Sequence, residues 1–216
     1  MTVFNEYAKY YDLLYSDKSY AAEAAYLAGL LRSSGVERTV LELGSGTGKH
    51  ALELAKHGFS IDGYDLSPAM VASSQILAAG ADATISFAEG DARTLRTGRT
   101  YGAVTSLFHV FSYLTETADL VAGFETVAEH LAPHGVFLFD CWYGPGVLSD
   151  PPAVRVRRME DESCQILRVA EPTLHAARNV VDVDYTVFVT DRATGVVRTI
   201  SERHSMRYLF EPEVDD

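Results

Sequence analysis

Val40-Leu41-Glu42-Leu43-Gly44-Ser45-Gly46-Thr47-Gly48 places a glycine at every second position directly after a strand-forming run, Thr39 to Leu43, and a helical pattern opens near Lys49. Glycine lacks a Cβ, so it reaches positive φ and lets main-chain N–H groups approach a bulky polar ligand at the start of the following helix. A second strand, Ser60 to Tyr64, ends at Asp65, where a carboxylate is able to accept hydrogen bonds from both hydroxyls of a ribose. Together the glycine turn and the acid describe a pocket for an adenosine-type cofactor.

Spacing selects among such cofactors. A dinucleotide fingerprint reads G-x-G-x-x-G, its third glycine allowing close helix packing and the helix dipole holding a pyrophosphate. Here the pattern is G-x-G-x-G, Lys49 follows Gly48, and Glu42 stands two residues before the first glycine. An acid there repels a pyrophosphate and attracts an ammonium, which favours the methionyl end of S-adenosylmethionine. A Walker A loop fails as well, because His50 occupies the position where Mg²⁺ binding needs Ser or Thr.

A chain of 216 residues with 47% hydrophobic and 22% charged content fits one large domain, or one domain with an elaboration. The net charge of -12 and the absence of a long Lys/Arg run argue against nucleic acid or an anionic membrane as partner. Arg155-Val156-Arg157-Arg158, the one dense basic patch, reads as a strand face. Cys141 and Cys164 suit neither a disulfide framework nor a metal site, and both read as small buried residues. No signal-peptide pattern and no run of 18 apolar residues is present, so a soluble, cytoplasmic protein is expected.

Phe4 to Tyr15 carries Tyr7, Tyr10, Tyr11 and Tyr15 at near-helical spacing, and an amphipathic pattern runs from Lys18 to Arg32, ended by Ser33-Ser34-Gly35. Both read as a helical cap. Strands are then expected at Thr39 to Leu43, Ser60 to Asp65, Thr84 to Ala88, Ala103 to Phe108 and Val136 to Cys141. Helices should fall at Lys49 to His57, after Ser67-Pro68, and at Thr117 to Leu131. Such alternation means a parallel sheet covered by helices. From Asp150 the texture changes to strands without helices: Val154 to Met159, Cys164 to Ala170, Asn179 to Thr190 and Val196 to Arg207, with Asp191 to Gly195 a hairpin loop. Phe210-Glu211-Pro212-Glu213-Val214 resembles a helix start. The reading divides the chain into a cofactor core with N-terminal helices over 1–149, an antiparallel insert of the same domain over 150–210, and a truncated element at 211–216.

In these residues the chain resembles the class I S-adenosylmethionine-dependent methyltransferases over about Tyr10 to Phe210, and within them the bacterial group related to nucleotide-sugar N-methyltransferases. That resemblance implies a Rossmann-like, doubly wound α/β fold with an antiparallel insert after the fifth strand, and C-terminal strands missing relative to the usual pattern. It assigns Glu42, Gly44, Ser45, Gly46 and Gly48 to the first cofactor motif and Asp65 to the ribose. Gly90-Asp91-Ala92 becomes the turn facing the adenine amino group, with Leu66, Met70 and Leu107 beside the cofactor. No metal is implied.

Methyl transfer from a sulfonium is an in-line displacement, so the protein mainly aligns the reacting atoms in a dry site. An amine or hydroxyl acceptor needs a base, and His109, just past the fourth strand, is the candidate. Tyr11 and Tyr15 are candidates to close the site, Tyr11 as a catalytic phenol, or else they pack their helix on the domain. Phe108, Trp142 and Tyr143 are candidates for the acceptor wall, the last two at the carboxyl end of the fifth strand. His204 reads as structural. Asp150-Pro151-Pro152 is followed by Ala153 where the base-methylating D-P-P-aromatic motif needs a stacking ring, so base flipping is unsupported.

The leading expectation is a methyltransferase acting on an amine or hydroxyl of a small molecule, with an activated sugar as the candidate acceptor. An NAD(P)-dependent oxidoreductase and a non-catalytic binding module of the same fold are the alternatives. Exposed edges of the insert suggest a homodimer.

Overall fold

A computed structural model describes residues 8–215; the expectations for Phe4 and Tyr7 lie outside them. The chain forms two compact units, one of Lys18–Asp140 and the other, among the described residues, of 8–17 and 141–215. Ala8–Leu14 (α1) therefore belongs with the β-rich unit, not with the cofactor core, and the break falls at Asp140 and Cys141 where the sequence reading put it at 149 and 150.

In the Lys18–Asp140 unit, Tyr20–Ser33 (α2) buries Ala24, Leu27, Ala28 and Leu31, spaced on one helical face. The two alanines let the helix come close to Val40, Ile61 and Ala103 of the sheet. Thr39–Leu43 (β1) leads to Lys49–Lys56 (α3), Ser60–Asp65 (β2), Pro68–Ala79 (α4) and Ile85–Glu89 (β3). Ser67 caps α4, its Oγ accepting from the Met70 N–H at 3.4 Å, with Pro68 in the first turn as expected. Tyr101–Ser106 (β4), a 3-10 turn at Val110–Tyr113, Thr117–His130 (α5) and Leu131–Phe139 (β5) complete the unit.

The strand order is β3-β2-β1-β4-β5, with every pairing parallel. The order reverses between β1 and β4, and open α/β sheets place ligands at such a switch point, beyond the carboxyl ends of the strands. Val40, Leu41 and Leu43 of β1 are fully buried at the centre of the sheet, each contributing about 1.5–3 kcal/mol by burial. The fourth strand stops at Ser106, two residues earlier than its apolar run suggests, because Phe108 and His109 take positive φ. The fifth ends at Phe139 and not at Cys141, and begins at Leu131, with a register shift between Tyr101 and Ala103.

The other unit holds Trp142–Tyr143 (β6), Gly144–Ser149 (α6), Arg155–Glu160 (β7), Cys164–His175 (β8), Val180–Asp191 (β9), Val197–Leu209 (β10) and Pro212–Asp215 (α7). Its sheet runs β6-β10-β9-β8-β7, antiparallel except for β6 beside β10. Neither β6 nor α6 shows in the sequence pattern. Two residues are too few to display a period, and Tyr208 and Leu209, their partners, are remote in the chain. α1 packs against β7, where Arg157 pairs with Asp17, so the basic patch is a strand face.

Candidate functional site

The glycine loop is tied to β2 at both levels of its backbone. Gly44 and Ser45 donate their N–H groups to the Tyr64 carbonyl at 2.7 and 3.0 Å, and Gly46 donates to Asp65 Oδ2 at 2.8 Å. Asp65 Oδ1 accepts from the Ser67 N–H at 2.8 Å. The residue expected to hold a ribose thus also fixes the loop and the entry to α4, and about two of its four acceptor directions remain for a ligand. Burial raises the Asp65 pKa, partly offset by these two amides.

Gly44 has φ +73°, and a Cβ there would meet Val110 Cγ2 at 2.4 Å. At Gly46, φ +55°, a Cβ would meet nothing within 4 Å. The loop is therefore closed on its Val110 side and open over Gly46, as a cradle for a ligand backbone requires.

Glu42 is 3% exposed, and burial together with the nearby Asp65 charge pushes its pKa up to about 8. Its Oε2, like Ser45 Oγ, is buried and has no hydrogen-bond partner among the described residues. Leaving such an atom unsatisfied costs about 1–3 kcal/mol, and a ligand ammonium would satisfy it. Glu42, Ser45, the open face at Gly46 and the spare lone pairs of Asp65 fit the amino-acid and ribose parts of S-adenosylmethionine. Glu42 is largely neutral at pH 7 and must ionise to pair with an ammonium. Binding of S-adenosylhomocysteine at pH 7 is therefore expected to release a proton, read as a dependence of calorimetric heat on the buffer's ionisation enthalpy. Heats that do not vary with buffer would place the ammonium away from Glu42.

The other expected cofactor residues divide. Leu66 is 54% exposed and offers apolar surface beside Asp65, whereas Met70 is buried in the core and Leu107 packs against the core cluster. Asp91 is gripped by Arg93 through the backbone N–H and a bidentate guanidinium, with Nη2 to Oδ2 at 2.6 Å, which holds its carboxyl below the usual range. An adenine amino group has to share an already engaged carboxylate there, while Gly90 and Ala92 are half-buried.

Past β4 the chain makes a turn that the sequence does not announce. Phe108 and His109 have φ of 69° and 64°, adjacent left-handed residues without glycine, at a cost on the order of 1–3 kcal/mol each. Several contacts over-determine the turn. Phe111 is fully buried among Phe124, Phe137 and Phe139, with ring centroids 5.1–5.5 Å away. Ser106 Oγ donates to the Leu43 carbonyl at 3.0 Å, and Val110 fills the space left by Gly44. The His109 N–H donates to Asp140 Oδ1 at 3.2 Å, and its Nδ1 lies 3.0 Å from Asp140 Oδ2. Burial lowers the His109 pKa; Asp140 opposes this, Lys18 adds to it and Glu23 opposes it, and the net shift is downward. The imidazole is neutral near pH 7, the form a base requires. Asp140 was missed from sequence because an acid after a strand has no signature of its own.

In the β-rich unit, Tyr11 is buried, its ring 4.7 Å from that of Tyr15. Arg168 Nη1 donates to the Tyr15 hydroxyl at 3.3 Å, and the guanidinium carbon of Arg168 lies 5.1 Å from the centroid of the Tyr185 ring. Trp142 packs against a cluster containing Val181 and Tyr208, whereas Tyr143 is 58% exposed. His204 is buried against the Tyr185 ring and 3.3 Å from Glu202.

Residues 40–135 match a family described as a methyltransferase domain. Over 215 residues the chain is 33% identical to the dTDP-3-amino-3,4,6-trideoxy-alpha-D-glucopyranose N,N-dimethyltransferase of Streptomyces venezuelae, covering 97% of this chain and 86% of the relative. The chain belongs to the class I S-adenosylmethionine-dependent methyltransferases. The methyltransferase is similar in structure to Streptomyces venezuelae DesVI, with a TM-score of 0.83 at 30% identity over 97% of this chain and 86% of that one. It is also similar to S-adenosylmethionine-bound CalS10, an amino pentose methyltransferase from Micromonospora echinaspora, with a TM-score of 0.78 at 27% identity over 100% and 87%. Its cofactor is S-adenosylmethionine. The oxidoreductase alternative finds no support, in keeping with Lys49 where a dinucleotide fold needs glycine. Among the described residues no helix is long and apolar enough to cross a membrane, and no group of three or more His, Cys, Asp or Glu is arranged to hold a metal ion.

Proposed function

We propose that the methyltransferase N-methylates the amino group of a dTDP-linked deoxy amino sugar, with His109 as the base. The likeness to the Streptomyces venezuelae dimethyltransferase along almost the whole chain carries the acceptor class. The strained turn that holds His109 against Asp140 at the sheet's switch point supports the base.

Bound S-adenosylmethionine supplies an activated methyl carbon, which leaves the protein to align the acceptor and receive a proton. An alkylamine is mostly protonated in neutral water and has no lone pair to offer until it loses that proton. A neutral imidazole is suited to accept it, and Asp140 orients the ring and stabilises the imidazolium that results. Phe108, which directly precedes His109 in the turn, is assigned to the acceptor wall.

The test is incubation of the full chain with S-adenosylmethionine and a dTDP-3-amino sugar, with its 3-hydroxy counterpart as control. One or two methyl groups on nitrogen, located by NMR, are expected from the amino sugar and none from the control; transfer to the hydroxyl sugar alone would sink the proposal. His109→Ala should lower kcat on the order of 100-fold. In the wild type, activity should fall as pH drops through the lowered His109 pKa, since protonation removes the base. A wild-type kcat in His109→Ala would discard the base and leave the acceptor class standing.

A further inference from the structure

Outside the residues assigned so far, Lys18, Glu23 and His50 form a chain within the Lys18–Asp140 unit. Lys18 Nζ lies 3.0 Å from Glu23 Oε2, and the same oxygen is 2.7 Å from His50 Nε2. The Lys18 and His50 side chains are 15% and 11% exposed, so a cation and an imidazole are both largely withdrawn from water. Lys18 Nζ also meets an aromatic face. It sits 3.9 Å from the centroid of the Phe108 ring, well inside the ~6 Å reach of a cation–π contact. Tyr20 completes the surroundings, with its ring 4.8 Å from that of His50 and 5.4 Å from Lys18 Nζ.

We propose that Lys18 is a positioning residue for methyl transfer, clamping the Phe108 ring so that the Phe108–His109 turn keeps its left-handed backbone and His109 stays against Asp140. The proposal rests on the reading of His109 as the base. A strained turn persists only when its neighbours over-determine it. Phe111 and Val110 anchor the side after His109, and Asp140 holds His109 itself. On the side before His109, Ser106 is tied to the Leu43 carbonyl and Leu107 packs on the core, and Lys18 adds a grip on the Phe108 ring itself.

The same lysine acts on His109 through its charge. Among the charged groups that act on His109 are Asp140 beyond β5, and Lys18 and Glu23 from the segment entering α2 and its first turn. Lys18 disfavours the imidazolium, whereas Asp140 and Glu23 favour it. A positive charge near the acceptor also disfavours the ammonium form of an incoming amine, which is the form that cannot react. Glu23, 46% exposed and shared with His50, fixes Lys18 without burying a full ion pair.

The experiment is a histidine side-chain NMR titration of the full chain, with His109→Asn to assign the resonance, combined with steady-state kinetics of the same variants. Lys18→Met should move the His109 midpoint to higher pH and Glu23→Gln to lower pH, opposite shifts that a lysine acting only in packing would not produce. Lys18→Met should also lower kcat on the order of tenfold through misplacement of the base, with the KM for S-adenosylmethionine unchanged, and Lys18→Arg should restore most of the loss. If Lys18→Met does not fold, the downward shift in Glu23→Gln carries the test. An unmoved His109 midpoint in the variants overturns the clamp. Shifts accompanied by full activity in His109→Ala overturn it by the other route, removing the reading of His109 on which it rests.

Discussion

Asp65→Ala is expected to lose S-adenosylhomocysteine binding by about 10²–10⁴-fold, the larger of two effects that bear on the cofactor loop. The carboxylate accepts the N–H groups of Gly46 and Ser67, and hydrogen bonds to a charged partner contribute about 1.5–3 kcal/mol each. Removing it frees the loop at Gly46, loosens the first turn of α4, and takes away the acceptor assigned to the ribose. Asp65→Asn separates these contributions. It retains one carbonyl oxygen but turns an N–H₂ group toward a backbone donor, so one of the two amides stays unsatisfied. Calorimetry with S-adenosylhomocysteine on all three proteins, with thermal unfolding as the folding control, reads the effect. Wild-type affinity in Asp65→Ala would dismiss both the loop clamp and the ribose contact.

Gly44→Ala should be nearly as damaging, for a different reason. The position has φ +73° and a new Cβ would lie 2.4 Å from Val110 Cγ2. A left-handed alanine costs about 1–2 kcal/mol, and overpacking adds about 1–3 kcal/mol, so a loss of roughly 2–5 kcal/mol in urea unfolding is expected. Function should suffer beyond stability. Val110 directly follows His109, and pushing it away disturbs the cofactor loop and the strained turn in one step. Gly44→Ala with Val110→Ala removes the overlap but leaves the φ penalty, and should recover part of the stability. If the single variant unfolds at the wild-type urea concentration, the tight packing of loop on turn is wrong.

These two positions also mark how far local sequence reaches. The alternating glycines, the acid that closes β2 and the Ser67-Pro68 cap each act over a few residues, and all of them occur where the pattern placed them. Glu42 stands beside the loop in the sequence, whereas its near-neutrality at pH 7 comes from burial and from Asp65, which the fold brings close. Apolar periodicity also located the strands, but it overran the ends of β4 and β5. At Phe108 and His109 the side chains still look strand-like while the backbone has turned left-handed.

What escaped the sequence depends on residues far apart in the chain. His109 stands out by its chemistry, but its partner Asp140 is 31 residues away, and Lys18 reaches Phe108 because α2 is brought back onto the sheet. The pairing of β6 with the end of β10, and the grouping of α1 with β7 and not with the cofactor core, arise in the same way. The parallel sheet, the cofactor loop and the class of chemistry are legible along the chain, because turns, caps and periodicity are set by neighbouring residues. Which charges act on His109 and which side chains hold its turn emerge with the folded chain, because electrostatic and packing partners are set by distance in space and leave no period in the sequence.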